Sequence, residues 1–206
     1  VMTITMPRPD VLALDQAAQD LLFREARTAN AFTDEPVTDE QIEAIYDLVQ
    51  WGPTAMNSQP LRVVVLRSDE AKARLLPLMS EGNRGKTATA PAVAILAMDV
   101  DFHDELPRVF PHAAGLRDAL DGDEDGRRRT ALLSAGLQVG YAIMGIRAAG
   151  LAAGPMTGLD ADAVSREFFP DGRHQVLCVV NVGRPAEDAW QERLPRLPFD
   201  EAVSVL

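Results

Sequence analysis

Apolar residues recur at helical spacing from Leu12 to Arg27, at Leu14, Ala17, Ala18, Leu21 and Leu22, and the run ends near Thr28-Ala29-Asn30. Thr38-Asp39-Glu40-Gln41 reads as a capping box, Thr38 at the N-cap and Gln41 three residues on, and opens a helix through Ile42, Ile45, Leu48 and Val49 that stops at Trp51-Gly52-Pro53. Thr54 to Pro60 is a loop, and Leu61 to Leu66 has the β-branched density of a buried strand. Ser68 caps a further helix through Leu78, a glycine-containing turn follows at Gly82 to Gly85, and Ala92 to Ala97 is apolar on both faces, as a central strand requires. Residues 101 to 126 are the least regular stretch and are expected to form an excursion or lid. Arg127 to Ala149 is apolar nearly all round and broken by Gly136, Gly140 and Gly145, which fits either an ordinary core helix or one whose small residues admit a second copy of the chain. A loop over Gly154 to Gly158, a short helix near Asp160 to Phe168, a strand from Gln175 to Val182 and a Pro-rich tail complete the pattern. No unit of 20 to 50 residues repeats.

Length agrees with one domain over residues 1–206: a folded monomer of 22.4 kDa buries roughly 70% of its extended surface, enough for a core without metal or disulfide staples. Charge changes the picture more. Twenty Lys and Arg against 31 Asp and Glu leave a net charge of −11, with an isoelectric point near 4.7, so nucleic acid is a poor partner. Any anionic ligand must bind where a few cations override the global sign. The single cysteine, Cys178, lies in an apolar run and reads as a small core residue in a reducing, cytoplasmic setting. The opening residues lack a signal-length apolar stretch, and no run of about 18 apolar residues suggests a membrane span.

Several familiar motifs fail. Gly85-Lys86-Thr87 ends like a phosphate-binding P-loop, but Ser80 stands where that motif needs glycine, and the residues before it read as helix rather than strand. No G-x-G-x-x-G follows a strand. His103, His112 and His174 lack metal-ligand spacing; His103 and His112 are expected to be solvated loop residues. Ser134 sits inside a helix pattern and is no nucleophile elbow.

What remains is a set of separated patches. Arg27-Thr28-Ala29-Asn30-Ala31-Phe32 resembles the R-S-x-R/K-x-F signature of the flavin-dependent nitroreductase family, and Gly52 to Pro60 resembles its A-P-S-x-x-N-x-Q-P segment. Asn83 and Lys86 stand three apart, as that family's flavin-ring contacts do. Gly154 to Gly158 is similar to its G-x-P-[IM]-x-G loop, and Arg193-Leu194-Pro195 to its basic C-terminal phosphate contact. Within the family, Phe23 to Thr28, Leu106 to His112 and Arg193 to Leu197 most resemble the malonic semialdehyde reductases of the pyrimidine-degradation (Rut) pathway. The chain departs from the family pattern at Asn30 and Gln191, where a cation is common, and at Thr157, where Glu is common.

The resemblance implies an α+β, three-layer sandwich with a central mixed sheet, a helical homodimer interface and FMN bound between subunits. It implies cofactor contacts from Arg27, Thr28, Asn30, Pro53, Thr54, Asn57, Asn83, Lys86, Pro155, Met156, Thr157, Gly158, Arg193 and Arg196, with Arg108 and His112 toward the substrate. NADH or NADPH would reduce the flavin and leave. The acceptor, malonic semialdehyde by the nearest resemblance, would then take hydride from flavin N5, with no protein nucleophile. The chemistry of the residues is compatible: Arg27 and Arg193 can fork onto a phosphate, Thr28 and Thr54 can donate hydroxyl hydrogen bonds, and Asn57, Asn83 and Lys86 match a ring edge of alternating donors and acceptors. Alternatives from the same patches are a broad nitro, quinone or enone reductase, a dehalogenase-type or flavin-destroying relative, and a non-catalytic flavin-binding protein.

Overall fold

The computed structural model describes residues 12–113 and 115–206. The leading segment, on which the expectation about secretion rested, lies outside them. The first helix, α1 (Gln16–Gln19), is capped by the Asp15 carboxylate and runs into a π-helical turn, Asp20–Arg24, so it stops short of Arg27. Helix α2 (Asp39–Val49) carries the full capping box: Gln41 N donates to Thr38 Oγ1, and the Gln41 side chain accepts from Thr38 N.

Four strands follow: β1 (Leu61–Leu66), β2 (Ala92–Asp99), β3 (Ala152–Met156) and β4 (His174–Gly183), in the order β1-β2-β4-β3. Every pairing among the described residues is antiparallel, so the sheet is not mixed within this chain. β2 is buried along its whole length, as its two-sided apolar pattern predicts. β1 is a half-exposed edge strand, with Val63 48% exposed, because nothing among the described residues pairs with its outer side.

Helices cover both faces, giving the three layers. On one face Val93, Ile95 and Val179 pack against Leu75 of α3 (Asp69–Leu75) and Val164 of α8 (Ala161–Phe168). On the other, Ala94, Leu96, Cys178 and Val180 meet Ile42 and Ile45 of α2 and Ile143 and Ile146 of α7 (Glu124–Ala148). Each fully buried aliphatic side chain contributes about 2 kcal/mol, so the two apolar stripes carry most of the stability. Burial pushes the Cys178 thiol up to about 11, consistent with an inert core residue.

Two expected irregular segments are ordered differently. The Gly82 to Gly85 turn is helix: α4 (Glu81–Thr89) runs through both glycines and through Gly85-Lys86-Thr87. The Gly154 to Gly158 loop is strand as far as Met156, because its backbone pairs with Val179 to Asn181.

The 101–126 excursion is mostly helical, with a 3-10 turn at Phe102–Glu105, α5 (Leu106–Val109) and α6 (Leu116–Asp121). Phe102 and Leu106 are buried there against Ala131 and Ala135 of α7. A charge network pins the segment to the sheet end. The Asp99 carboxylate, 2% exposed, accepts from Arg62 at 3.2 Å and from Arg173 at 2.8 and 3.1 Å. Arg173 also reaches Asp104 at 3.2 Å, and Arg127 pairs with Asp101 at 3.2 Å. His103 is not solvated but buried, its Nε2 3.1 Å from Asp121 Oδ1.

Helix α7 answers the two readings of its glycines differently along its length. A Cβ at Gly145 would lie 2.3 Å from Val49 Cγ1, so that glycine lets α2 approach within the chain. Gly136 and Gly140 face open space, next to exposed Leu132, Leu133, Leu137 and Tyr141. Among the described residues α7 is the one helix long and apolar enough to cross a membrane by length and composition, but its Val139, Ala142, Ile143 and Ile146 pack on the sheet.

Candidate functional site

The first group of predicted residues is assembled where the N-terminal segment meets the C-terminal tail. Residues 30–33 run beside 184–189: Asn30 N donates to Ala189 O at 3.0 Å, Thr33 N to Arg184 O at 2.9 Å, and Phe32 bridges Pro185. This places Arg27 beside Trp190, with the guanidinium carbon 5.5 Å from the ring centroid and Nη1 3.5 Å from Gln191 O. Arg193 reaches back the other way and donates to Arg24 O and Ala26 O.

Helix α4 closes the other side. Its Asn83 side chain donates to Gly158 O at 3.1 Å, and Ser80 N donates to the same oxygen at 2.9 Å. One turn on, Lys86 Nζ lies 3.4 Å from Asn30 Oδ1, joining α4 to the N-terminal segment, and the buried Thr87 hydroxyl faces Met156 Sδ at 4.0 Å. Backbones crowd here: a Cβ on Gly158 would lie 2.6 Å from Asn83 Nδ2, and one on Gly154 2.9 Å from Ala29 O. Thr28, Pro155 and Thr157 are exposed at the rim. Fully buried Asn181, beside Gly154, has neither side-chain atom hydrogen-bonded among the described residues.

Every hydrogen bond that Arg27, Lys86 and Arg193 make among the described residues goes to a neutral oxygen, and Arg27 Nε is buried without a partner. In a chain of net charge −11, none of the three is paired with a carboxylate among the described residues.

The remaining predicted residues lie elsewhere. The loop after α2 turns through three left-handed residues, Met56 (φ 56°), Asn57 (φ 49°) and Gln59 (φ 44°). Such a backbone persists only when its surroundings over-determine it. Ala55 N donates to Ser134 Oγ at 3.2 Å, Gln59 N to Thr54 Oγ1 at 3.2 Å, and Leu61 N to Gln138 Oε1 at 2.9 Å, so two residues of α7 one turn apart fasten the loop. Asn57 Nδ2 donates to Val109 O at 2.9 Å and ties the loop to α5. No hydrogen bond among the described residues joins Pro53, Thr54 or Asn57 to the Arg27 group. Arg108, 76% exposed, pairs with Glu105 at 2.9 Å, and the His112 ring packs 4.0 Å from that of Phe110. Arg108 and Val109 border a groove of about 900 Å³ whose apolar walls come from β1, α2 and α7. Among the described residues Arg196 bonds to Leu194 O and Pro195 O in its own tail.

Trp190, Ser134 and Gln138 were not singled out as site residues by sequence reasoning. Trp190 left a faint signal, a lone aromatic three residues before Arg193; the two α7 residues left none, since their role depends on which loop α7 meets.

The α+β sandwich recurs in solved structures. A nitroreductase-fold structure from Bacillus subtilis superposes with a TM-score of 0.82 at 23% identity, over 93% of this chain and 100% of that one. A second, from Exiguobacterium sibiricum and described as a complex with FMN, gives 0.80 at 20% identity, over 94% and 98%. The nitroreductase family pattern matches residues 23–184, and the chain belongs to that family. A Streptomyces coelicolor protein is 60% identical over 95% of this chain and 99% of its own, and one from Leptothrix cholodnii 48% identical over 94% and 98%. Both carry the provisional name NADH dehydrogenase/NAD(P)H nitroreductase.

Proposed function

We propose that the protein is an FMN-dependent NAD(P)H oxidoreductase acting in the cytoplasm as a homodimer, each flavin site taking one group of residues from each chain. The observation that carries this reading is the trio of Arg27, Lys86 and Arg193, cations without carboxylate partners among the described residues, on segments joined through Lys86 and Asn30. The residues fit the group. A phosphate of nearly two negative charges suits the Arg27 and Arg193 forks, with Thr28 and Asn30 adding neutral donors. Asn83 and Lys86 are assigned to the ring edge that gathers negative charge on reduction, and Pro155, Met156, Thr157 and Gly158 to its backbone wall. Pro53, Thr54 and Asn57, held apart in this chain, are assigned to the partner's flavin. The exposed apolar stretch of α7 around Gly136 and Gly140 is the matching dimer surface. Bound FMN supplies the redox chemistry between NAD(P)H and the acceptor, so the chain has only to bind, orient and polarise.

Within this class we propose malonic semialdehyde as acceptor, reduced to 3-hydroxypropionate, with Arg108 pairing its carboxylate and His112 beside it. The support is the Leu106 to His112 phrase and the accessibility of Arg108, whose partner Glu105 is three residues away in the same turn. The test is a visible spectrum of the purified protein before and after anaerobic NADH or NADPH, then turnover with malonic semialdehyde, nitrofurazone and menadione. Yellow protein that bleaches and turns over the aldehyde fastest is expected. Colourless protein that takes up no FMN overturns the reading, and bound FMN with no turnover of any acceptor makes this a flavin-binding protein.

A further inference from the structure

We propose that Trp190 is a positioning residue for Arg27: its ring holds the guanidinium in place so that a terminal N–H group meets a terminal phosphate. The proposal rests on the flavin reading above and deepens it. Arg27 lies over the Trp190 ring at 5.5 Å, inside the roughly 6 Å range of a cation–π contact, and Trp190 is 37% exposed. A ring restrains the plane of a guanidinium without consuming any of its five N–H groups, whereas a carboxylate would occupy two. No carboxylate closes the Arg27 guanidinium among the described residues: Nη1 has one long 3.5 Å bond to Gln191 O, and Nε, buried, has no hydrogen-bond partner. Ring and guanidinium sit on segments fastened to each other on both sides, by Asn30 N to Ala189 O and by Arg193 to Arg24 O and Ala26 O.

The chain contains its own control. The Arg74 guanidinium carbon lies over the Phe168 ring at 5.0 Å, but its Nε is closed by Glu167 at 2.6 Å, which leaves a structural ion pair. A ring contact without a carboxylate is what sets Arg27 apart.

The test compares FMN with riboflavin, which has the same ring and no phosphate, by flavin fluorescence titration of the full-length protein stripped of flavin. The wild type should prefer FMN. Trp190→Leu should reduce the ratio of the two dissociation constants roughly tenfold while leaving riboflavin binding unchanged, and Trp190→Phe should keep most of the ratio. In Arg27→Ala the preference should collapse, and adding Trp190→Leu should reduce it no further. A Trp190→Leu protein that loses FMN and riboflavin alike, or keeps the wild-type ratio, overturns the proposal while the flavin reading stands. Wild type that does not prefer FMN overturns both. A second measurement needs no change at 190: in a Trp51→Phe background, inorganic phosphate should shift the remaining indole emission, and should not once Arg27→Ala is added. Absence of the shift before that addition also overturns the proposal.

Discussion

Two groups of arginines divide this molecule. At the end of the sheet, Arg62, Arg173, Arg127 and Arg117 meet Asp99, Asp101 and Asp104, and each cation has a carboxylate within 3.2 Å. Between the N-terminal segment and the tail, Arg27 and Arg193 with Lys86 meet only carbonyls and an amide. The residue type is the same and the difference is closure. A closed cluster satisfies its own charges and so can hold a segment in place, as the first holds the 101–126 excursion. An open cluster has no such closure: Arg27, Lys86 and Arg193 are among several cations without a carboxylate partner in the described residues, and lie on the segments assigned above to the flavin phosphate and ring.

The sharpest way to break this contrast is Asp99→Ala, which takes the carboxylate from Arg62 and leaves Arg173 with Asp104. Loss of about 3 kcal/mol in urea unfolding is expected, because several charge-assisted hydrogen bonds to one buried carboxylate go together. A loss below about 1 kcal/mol would show that the excursion is held by Phe102 and Leu106 instead. Arg193→Ala should do the opposite. FMN affinity falls about thirtyfold, near 2 kcal/mol for a charge-assisted bond, while the flavin-free protein loses less than about 1 kcal/mol. Equal losses would make Arg193 a strap rather than a ligand.

Acid separates the groups in a third way. Hydrogen bonding from Arg117 holds the Asp104 carboxyl below its ordinary 3.8. A carboxyl depressed in the folded state binds its proton more readily when unfolded. Its stabilisation is therefore complete above that value and is lost as pH falls through it toward the folded pKa. Urea midpoints followed below about pH 5 should fall less steeply in Asp104→Asn than in wild type, and Arg193→Ala should follow the wild-type curve. The smallest effect is expected at Arg196, whose bonds stay within its own tail: Arg196→Ala should change FMN affinity less than about twofold, and a larger change would move that residue into the open group.

Much of this architecture was legible in one dimension. The Thr38 capping box, the two-sided apolar run of β2 and the long α7 each express a local rule, a satisfied helix end or a burial pattern, and the structure obeys them within a few residues. The misreadings also have a common cause. Gly82 and Gly85 suggested a turn, but glycine only weakens a helix, and the ties of Ser80 and Asn83 to Gly158 hold α4 in place. Gly154 suggested a loop, yet its strand lies where β4 offers free hydrogen-bonding groups. Leu61 to Leu66 is apolar enough for a buried strand and is an edge because no other described segment pairs with its outer side.

The candidate site divides in the same manner. The order of short patches along the chain suggested which side chains could bind an anionic, flat ligand. Only the fold decided that Lys86 meets Asn30 and Arg193 meets the Arg24 to Ala26 backbone, while Asn57 is tied to α5 and Ala55 to α7. Charge and hydropathy are properties of single residues and can be read in sequence. Whether a cation is closed by a carboxylate or left open depends on contacts such as that between Arg27 and Trp190, 163 positions apart, which form only when two distant segments are brought side by side.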